Sequence, residues 1–345
     1  MTDTPASRAA TLHDVAREAG VSLATASRVL NGSARKVADS YRERVEAAAA
    51  KLGYSANMSA QATARGTSAT LALLVADIAD PYFSQIAAGV ARAADEERLI
   101  MTIGITEREA ERETRLVRAL RGQRPRGIVL AASRSARHHS PALTDVLRDI
   151  EAAGGTVVSI GAPADGMQTR TLTLDNFGST RELGQALSGI GYRNAILIGA
   201  AEGLVTSDER LAGFQEGFVA SGGNAPLIVR GGFSRDSGYT AMASALEQGV
   251  HPGTLVFGIT DVVAFGAMSA VRAAGLEVGT DIAIAGFGDI DSGRDIVPGL
   301  TTVHAPLEKL GEEAVRAVVA ETWTPPAPLA AQVILRDSTP PVDAA

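Results

Sequence analysis

The chain has 345 residues, a net charge of −7, 46% hydrophobic residues and only 4% aromatic residues. Its length exceeds one ordinary domain and allows a large buried core. The absence of cysteine excludes disulfides, thiolate metal sites and a cysteine nucleophile. No apolar run approaches the ~20 residues of a membrane span, and the first residues lack the apolar centre of a signal peptide. These features predict a cytoplasmic protein with no membrane partner.

Charge is distributed unevenly along the chain. Residues 1–66 carry nine Lys or Arg against six Asp or Glu, so the remainder holds all of the negative excess. A small basic segment joined to an acidic body is typical of a DNA-binding module fused to another domain.

The first predicted elements are two short helices within residues 11–32. Thr11 can cap the first helix, with Asp14 at the capping-box spacing, and Gly20 can end it. Ser22 can cap the second helix, which the Asn-Gly pair at its end stops. Helix, short turn with glycine and helix is the layout of a helix-turn-helix, whose second helix fits a DNA major groove. An ordinary helical hairpin is the alternative at this point.

A third helix is predicted over residues 39–52, where the inner face would consist of Tyr41, Val45, Ala48, Ala49 and Leu52. Residues 54–66 are polar and rich in small side chains, as in a linker. We therefore divide the chain into a helix-turn-helix domain (1–53), a hinge (54–68) and a larger domain (69–345).

From Ala69 onwards, short apolar runs alternate with amphipathic stretches. Strands are predicted at 70–77, 99–105, 127–132, 156–161, 169–175, 194–200, 227–233, 254–259, 281–288 and 333–338. Helices are predicted at 83–97, 107–121, 142–154, 176–190, 207–222, 236–248, 261–274 and 307–321. This alternation indicates parallel sheets covered by helices, and the number of strands favours two α/β lobes. Ligands of such sheets bind beyond the carboxyl ends of the strands, which here would face a shared cleft.

Candidate ligand-binding residues come at or soon after the ends of predicted strands, and they are Tyr82, Phe83, Asp175, Arg210, Phe233, Asp261 and Asp289. Aromatic faces together with carboxylates and a guanidinium suit a sugar. Four of these residues also have a structural alternative. Tyr82 and Phe83 can pack in the core, Asp175 can cap a helix, and Arg210 can form a surface salt bridge.

The sequence offers little for catalysis. The five histidines show no metal-ligand spacing, and phosphate-loop, GxSxG and GxGxxG motifs are lacking. We therefore expect neither an enzyme nor a bound metal or cofactor.

These motifs resemble the LacI/GalR family of bacterial transcription regulators over about residues 11–339. The resemblance rests on TLHDVAREAGVSLATASRVLNG (11–32), DPYF (80–83), LDN (174–176), ERLAGF (209–214), DIAIAGFGD (281–289) and LTTVHAP (300–306). It implies an all-α helix-turn-helix head, a hinge helix and an α/β two-lobed sensor of the type I periplasmic-binding-protein kind. The implied N-lobe covers about 69–168 and 305–332, and the C-lobe about 169–304 and 333–345.

The resemblance also implies which residues contact DNA. The recognition helix would span about residues 22–30 and reach base edges with Leu23, Ala24 and Arg28, of which only Arg28 can hydrogen-bond a guanine. Phosphate contacts are expected from Thr11, Ser22, Thr25, Ser27, Asn31 and Tyr54. Hinge contacts are expected from Asn57, Ala60, Gln61 and Thr63. The family has leucine at the last of these positions as a minor-groove wedge, so Thr63 predicts weaker kinking of the DNA.

The ligand positions depart from the family pattern at two places. Thr260 precedes Asp261 where the family has asparagine, and Gly288 follows Phe287 where the family has aspartate, with Asp289 one place later. We expect a sugar or sugar derivative as effector, with a nucleobase as the second choice. The predicted function is a homodimeric repressor of a near-palindromic operator. The alternatives are a sugar-binding protein without DNA-linked regulation, a dual activator and repressor, and an α/β enzyme acting on a sugar.

Overall fold

The structure is a computed structural model that describes residues 10–31, 37–54, 67–131, 140–164 and 166–342. The chain divides into two compact units, residues 1–68 and residues 69–345. The predicted hinge contacts Asn57, Ala60, Gln61 and Thr63 lie outside the described residues, as does the side chain of Asn31.

The first unit contains three helices, α1 (Leu12–Ala19), α2 (Leu23–Asn31) and α3 (Asp39–Leu52). Helix α1 begins with the predicted capping box, in which the Thr11 side chain accepts from the Asp14 N–H and the Asp14 carboxylate accepts from the Thr11 N–H. The helices meet in a small core formed by Val15, Ala16, Ala19, Ala26, Val45, Ala48 and Ala49. Because these side chains are short, the three helices can pack closely.

The turn between α1 and α2 depends on Gly20, whose φ of 63° is in the left-handed region. The Arg44 guanidinium donates to the carbonyls of Ala19 and Gly20, so α3 holds this turn in place. Tyr41 was predicted on the inner face of α3, and this prediction is wrong. Its ring is exposed at the surface, where Arg44 lies over it.

The second unit contains two parallel sheets. The N-lobe sheet has the order β2-β1-β3-β4-β5. Its strands are β1 (Thr70–Val75), β2 (Ile100–Ile105), β3 (Gly127–Ala131), β4 (Thr156–Ile160) and β5 (Arg170–Leu172). Helices α4 (Pro81–Glu96), α5 (Ala110–Arg121) and α6 (Pro141–Ala152) alternate with these strands. Strand β5 lies in this sheet, so the implied change of lobe at about residue 169 comes after Leu172 instead.

The C-lobe sheet has the order β7-β6-β8-β9. Its strands are β6 (Ala195–Ala200), β7 (Leu227–Gly231), β8 (Thr254–Gly258) and β9 (Ile282–Ala285). The accompanying helices are α7 (Asn176–Gly189), α8 (Val205–Ala220), α9 (Arg235–Glu247), α10 (Asp261–Ala273) and the short α11 (Ser292–Asp295). The antiparallel pair β10 (Thr302–His304) and β11 (Gln332–Ile334) flanks helix α12 (Leu307–Val319) in the chain.

Helix α12 returns to the N-lobe and packs against α4. A Cβ at Gly89 of α4 would lie 1.9 Å from the Glu308 carbonyl oxygen, and one at Gly311 would lie 2.3 Å from the Ile86 carbonyl oxygen. Glycine at both positions therefore lets the two backbones approach closely.

Three helices begin two or three residues from their predicted starts, namely α4, α5 and α8, and the reason is clear for the first two. Helix α4 begins at Pro81, two residues before its predicted start, because Asp80 caps it and proline suits the first helical position. Helix α5 begins at Ala110 rather than 107, because Glu107 and Arg108 have positive φ values of 53° and 60°. Strand β10 and helix α11 were not predicted. None of the helices in the described part of the chain is long and apolar enough to cross a membrane.

Candidate functional site

Helix α2 presents a solvent-exposed face in the first unit. Leu23 and Ala24 in its first turn are exposed, and Arg28 is exposed one turn after Ala24. Side chains four positions apart lie on the same side of a helix, so Ala24 and Arg28 share a face, and Leu23 is aligned with the half-buried Ser27. The predicted base-reading residues are therefore brought together on one surface.

Several of the polar residues predicted to contact phosphates make contacts within the head. The Ser22 hydroxyl caps α2 by accepting from the Thr25 N–H at 3.1 Å, and it bonds the Thr25 hydroxyl at 2.8 Å. The Thr11 hydroxyl bonds Asp14 within the capping box of α1. Tyr54 packs against the small core with part of its surface accessible. Capping thus orders these hydroxyls at the surface of the head.

In the second unit, a cleft lies beyond the carboxyl ends of the strands, as expected for parallel sheets. Tyr82 and Phe83 line it from the first turn of α4, with their ring centroids 5.1 Å apart in an edge-to-face arrangement. A small cavity of about 20 Å³ lies beside these rings, and a space of about 230 Å³ adjoins it. Both are bordered by Gly161, Leu174, Asn176 and Thr206.

Arg210 is a charged group buried beside the cleft, with 1% of its surface exposed. Its Nε donates to Asn176 Oδ1 at 2.9 Å, and its Nη1 donates to the Ile259 carbonyl at 2.8 Å. The guanidinium lies 3.6 Å from the centroid of Phe287 and 5.7 Å from that of Tyr82 in the other lobe. Burial lowers the pKa of Arg210 from its ordinary value, and the nearby oxygens of Tyr82 and acidic residues partly oppose this.

Arg108 contributes a second cation that was not among the predicted site residues. It follows strand β2, and its guanidinium lies 5.0 Å from the ring centroid of Phe233 and 6.0 Å from that of Phe83. Because Phe233 belongs to the C-lobe, this contact also crosses the cleft. Arg108 also follows a strand, as ligand-binding residues do in such sheets. It was not selected from the sequence because a helix was predicted to begin at residue 107.

Asp175 lies at the edge of the larger space and is exposed. Its carboxylate accepts from the Gly178 N–H at 2.8 Å, so it caps α7. This capping was the structural alternative for Asp175. It leaves the carboxylate at the mouth of the cleft.

Asp261 and Asp289 use their carboxylates within the protein. Asp261 accepts from the Thr302 hydroxyl and the Ile290 N–H, and burial raises its pKa to about 6. Asp289 has a side chain that is only 4% exposed, and it accepts from three donors, namely Arg294 at 2.9 Å, Arg336 at 2.6 Å and His304 at 3.0 Å. These arginines hold the pKa of Asp289 below its ordinary value despite burial. The contacts favour a structural role for both carboxylates over the ligand contact that was predicted.

The described residues contain no group of three or more His, Asp or Glu side chains that could hold a metal ion.

Comparison with known proteins identifies both units. Residues 11–57 match the family described as bacterial regulatory proteins of the lacI family, and residues 185–339 match the periplasmic binding protein-like domain. The transcriptional regulator CelR of Thermobifida fusca is 32% identical over 323 residues, which cover 90% of this chain and 92% of CelR. The chain belongs to the LacI family. It is a DNA-binding transcriptional regulator with a two-lobed sensor of the periplasmic-binding-protein fold.

Solved structures of LacI-family proteins resemble the whole chain. The lac repressor dimer bound to operator and the anti-inducer ONPF is 27% identical and superimposes with a TM-score of 0.80, covering 96% of this chain and all of the other. A complex of CelR with cellobiose is 30% identical, with a TM-score of 0.68 and coverage of 95% and 99%.

Proposed function

We propose that this LacI-family regulator is a cytoplasmic repressor that binds a near-palindromic operator as a homodimer and is gated by a sugar or sugar derivative. The observation that carries the proposal is the presence in one chain of an exposed face on α2 and a cleft whose lobes meet through Arg210 and Tyr82. The first feature suits a major groove, and the second suits a small ligand that alters the lobe arrangement.

Base reading falls mainly on three side chains. Arg28 can donate two hydrogen bonds to a guanine, whereas Leu23 and Ala24 can offer only apolar contact, for example to a thymine methyl. Thr11, Ser22, Thr25, Ser27, Asn31 and Tyr54 would bind phosphates and set the register of the head. Asn57, Ala60, Gln61 and Thr63 would contact the minor groove with a weak central wedge.

The effector is proposed to bind against Tyr82, Phe83 and Phe233, with Asp175 accepting from its hydroxyls and Arg210 donating to it. The cellobiose bound to CelR supports a sugar as the ligand class. A nucleobase remains the second candidate, because adjacent aromatic rings also suit a planar ring. Asp261 and Asp289 are proposed to shape the cleft rather than to contact the ligand.

Gating follows from contacts that cross the cleft. A ligand that binds one lobe arrangement more tightly than the other shifts the equilibrium between them. We propose that this shift changes the spacing of the two hinges in the dimer, and with it the fit of the two heads to their half-sites.

Strand β2 supports the proposal of a homodimer. It is the edge of the N-lobe sheet, and Ile100 and Ile103 on it are 53% and 39% exposed. An apolar edge strand is a surface that proteins normally cover or pair. A second copy of the chain related by a two-fold axis would cover it.

The alternatives differ in what the head does. A dual activator and repressor would bind DNA and ligand at the same sites, but its operator would lie at a different position relative to the promoter. A sugar-binding protein without DNA-linked regulation would not need an exposed α2 face, and the kinship with transcriptional regulators opposes an enzyme.

Selection of bound DNA from a random-sequence pool, repeated with a panel of sugars, tests the proposal. We expect a near-palindromic site whose recovery changes with one class of ligand. Removing residues 1–66 should abolish DNA binding and leave ligand binding intact. Selection without palindromic enrichment would overturn the repressor proposal.

A further inference from the structure

Two guanidiniums border the aromatic part of the cleft. Arg210 lies 5.7 Å from the ring centroid of Tyr82, and Arg108 lies 6.0 Å from that of the adjacent Phe83. Tyr82 and Phe83 both line the small cavity, and their ring centroids are 5.1 Å apart, so each guanidinium lies against a ring of the same cavity. Two arginines held against the aromatic lining of one ligand space are an arrangement that suits an oxyanion.

One donor of this region has no hydrogen bond of ordinary geometry. Arg210 Nη2 is buried and has no such partner among the described residues, whereas its Nε and Nη1 are both bonded. The Tyr82 hydroxyl stabilises the charged guanidinium from the other lobe but does not satisfy this donor. Leaving a buried charged donor unsatisfied is costly, and such a group calls for a partner that the described chain does not provide.

Nearby carboxylates are engaged elsewhere. Asp80 caps α4 by accepting from the Tyr82 N–H, and Asp77 accepts from the Ala79 N–H. Glu209 accepts from Asn176 Nδ2. These acids, together with Asp261 near Arg210, act on the two arginines through space, but within the described ranges none forms an ion pair with either guanidinium.

The position where the resembling family has a carboxylate is occupied by Gly288. Its φ of +135° is a conformation that L side chains rarely adopt, so the backbone itself disfavours an aspartate here. The next residue, Asp289, is bonded to Arg294, Arg336 and His304 instead. The chain thus retains Arg210 while lacking a carboxylate at this position.

We propose that the effector is a sugar derivative carrying an oxyanion, a carboxylate or a phosphate, which Arg210 and Arg108 bind together. The inference rests on the proposed ligand gating and narrows its ligand class. Arg210 supplies the unsatisfied Nη2 donor, and Arg108 supplies a guanidinium that is free of ion pairs in the described chain. The aromatic rings and Asp175 are left to contact the sugar ring and its hydroxyls.

Matched trios of probes test this proposal on the full-length protein by calorimetry. Each trio contains a neutral hexose, its uronate and its 6-phosphate, for glucose, galactose and mannose, with gluconate and glucitol as an open-chain pair. The variants are Arg108→Gln, which removes the guanidinium of a solvent-accessible residue, and Arg118→Gln, which removes the same charge from the exposed face of α5.

We expect at least one anionic probe to bind about tenfold or more tightly than its neutral parent. Arg108→Gln should remove this preference, whereas Arg118→Gln should retain it. The uronate and phosphate arms distinguish the two sources of the oxyanion. Three outcomes would overturn the inference: equal or tighter binding of a neutral parent, an unchanged preference in Arg108→Gln, and no binding of any anionic probe at about 10 mM.

Selection of palindromic DNA by the same preparation separates this inference from the proposed function. If such DNA is selected while the anionic probes fail, only the oxyanion inference falls. If no such DNA is selected, the proposed function falls regardless of the probes.

Discussion

The Arg210 guanidinium lies 5.7 Å from the ring centroid of Tyr82, although the first residue belongs to the C-lobe and the second to the N-lobe. Arg210 is fixed on its own side by Asn176, the Ile259 carbonyl and the Phe287 ring. A ligand that enters beside this pair therefore contacts both lobes at once.

Replacing Tyr82 by leucine tests this contact across the cleft. Tyr82→Leu removes the aromatic face, so we expect effector affinity to fall about threefold to thirtyfold, as for the loss of one cation–π contact. Tyr82→Phe keeps the ring and should retain most of the affinity. Calorimetric titration measures both. Equal losses in the two variants would show that the hydroxyl, rather than the ring, matters.

Arg28 is expected to carry most of the direct base reading. Arg28→Gln should lower discrimination at one base pair in each half-site by about tenfold to a hundredfold. Arg42→Gln removes the same charge from the exposed surface of α3 and should leave discrimination unchanged. The affinity of each protein for operators that carry single base-pair substitutions measures this discrimination. If Arg28→Gln discriminates between bases as well as the wild type does, the base contact assigned to Arg28 on α2 is contradicted.

Asp261 should give stability an unusual pH dependence. Its pKa of about 6 in the folded state exceeds the ordinary value of about 3.9, so between these values the folded chain binds more protons than the unfolded chain. The free energy of unfolding contributed by Asp261 therefore falls as the pH rises from about 4 to 6, by about 3 kcal/mol.

Denaturant unfolding of the wild type and Asp261→Asn across this range isolates the effect. The difference between the two free energies of unfolding should shift by that amount in favour of the variant as the pH rises. Groups that do not interact with Asp261 contribute equally to both proteins and cancel. If the free energies of unfolding of the two proteins run parallel from pH 4 to 7, the raised pKa of Asp261 is contradicted.

Much of the architecture was predictable because buried parallel strands read as short apolar runs between amphipathic helices. The head was predictable for a similar reason, since Thr11, Gly20 and Ser22 are residues that begin or end helices. Asp80 and Pro81 could have located the start of α4, because aspartate before proline is a helix-start signal.

Other features depend on tertiary contacts that sequence patterns do not contain. The positive φ values of Glu107 and Arg108 delay the start of α5, and neither glutamate nor arginine is a residue type that predicts such a conformation. Likewise, Asp261 follows a strand as a ligand residue would, yet its carboxylate is bonded to Thr302 and Ile290 from distant parts of the chain.

The exposed edge of the N-lobe sheet predicts how self-association can be broken. Ile103→Glu places a charge on β2, and burying it in an interface should weaken the dimer at least a hundredfold, roughly 3 kcal/mol or more. Val219→Glu on the exposed surface of α8 is the matched control, since Val219 is also an exposed aliphatic residue. Sedimentation measures the mass of each variant. A dimer of unchanged strength in Ile103→Glu would exclude β2 from the interface.

The central claim is that a ligand bound at Arg210 controls the affinity of the head for DNA. Its most direct test is the operator dissociation constant of the wild type and Arg210→Lys, each measured with and without the ligand that binds the wild type. Lysine keeps the charge but cannot reproduce the fork that bonds Asn176 and Ile259. We predict a ligand effect of about fivefold to 150-fold on the wild type and none on Arg210→Lys. A full ligand effect in Arg210→Lys, or none in the wild type, would contradict the account.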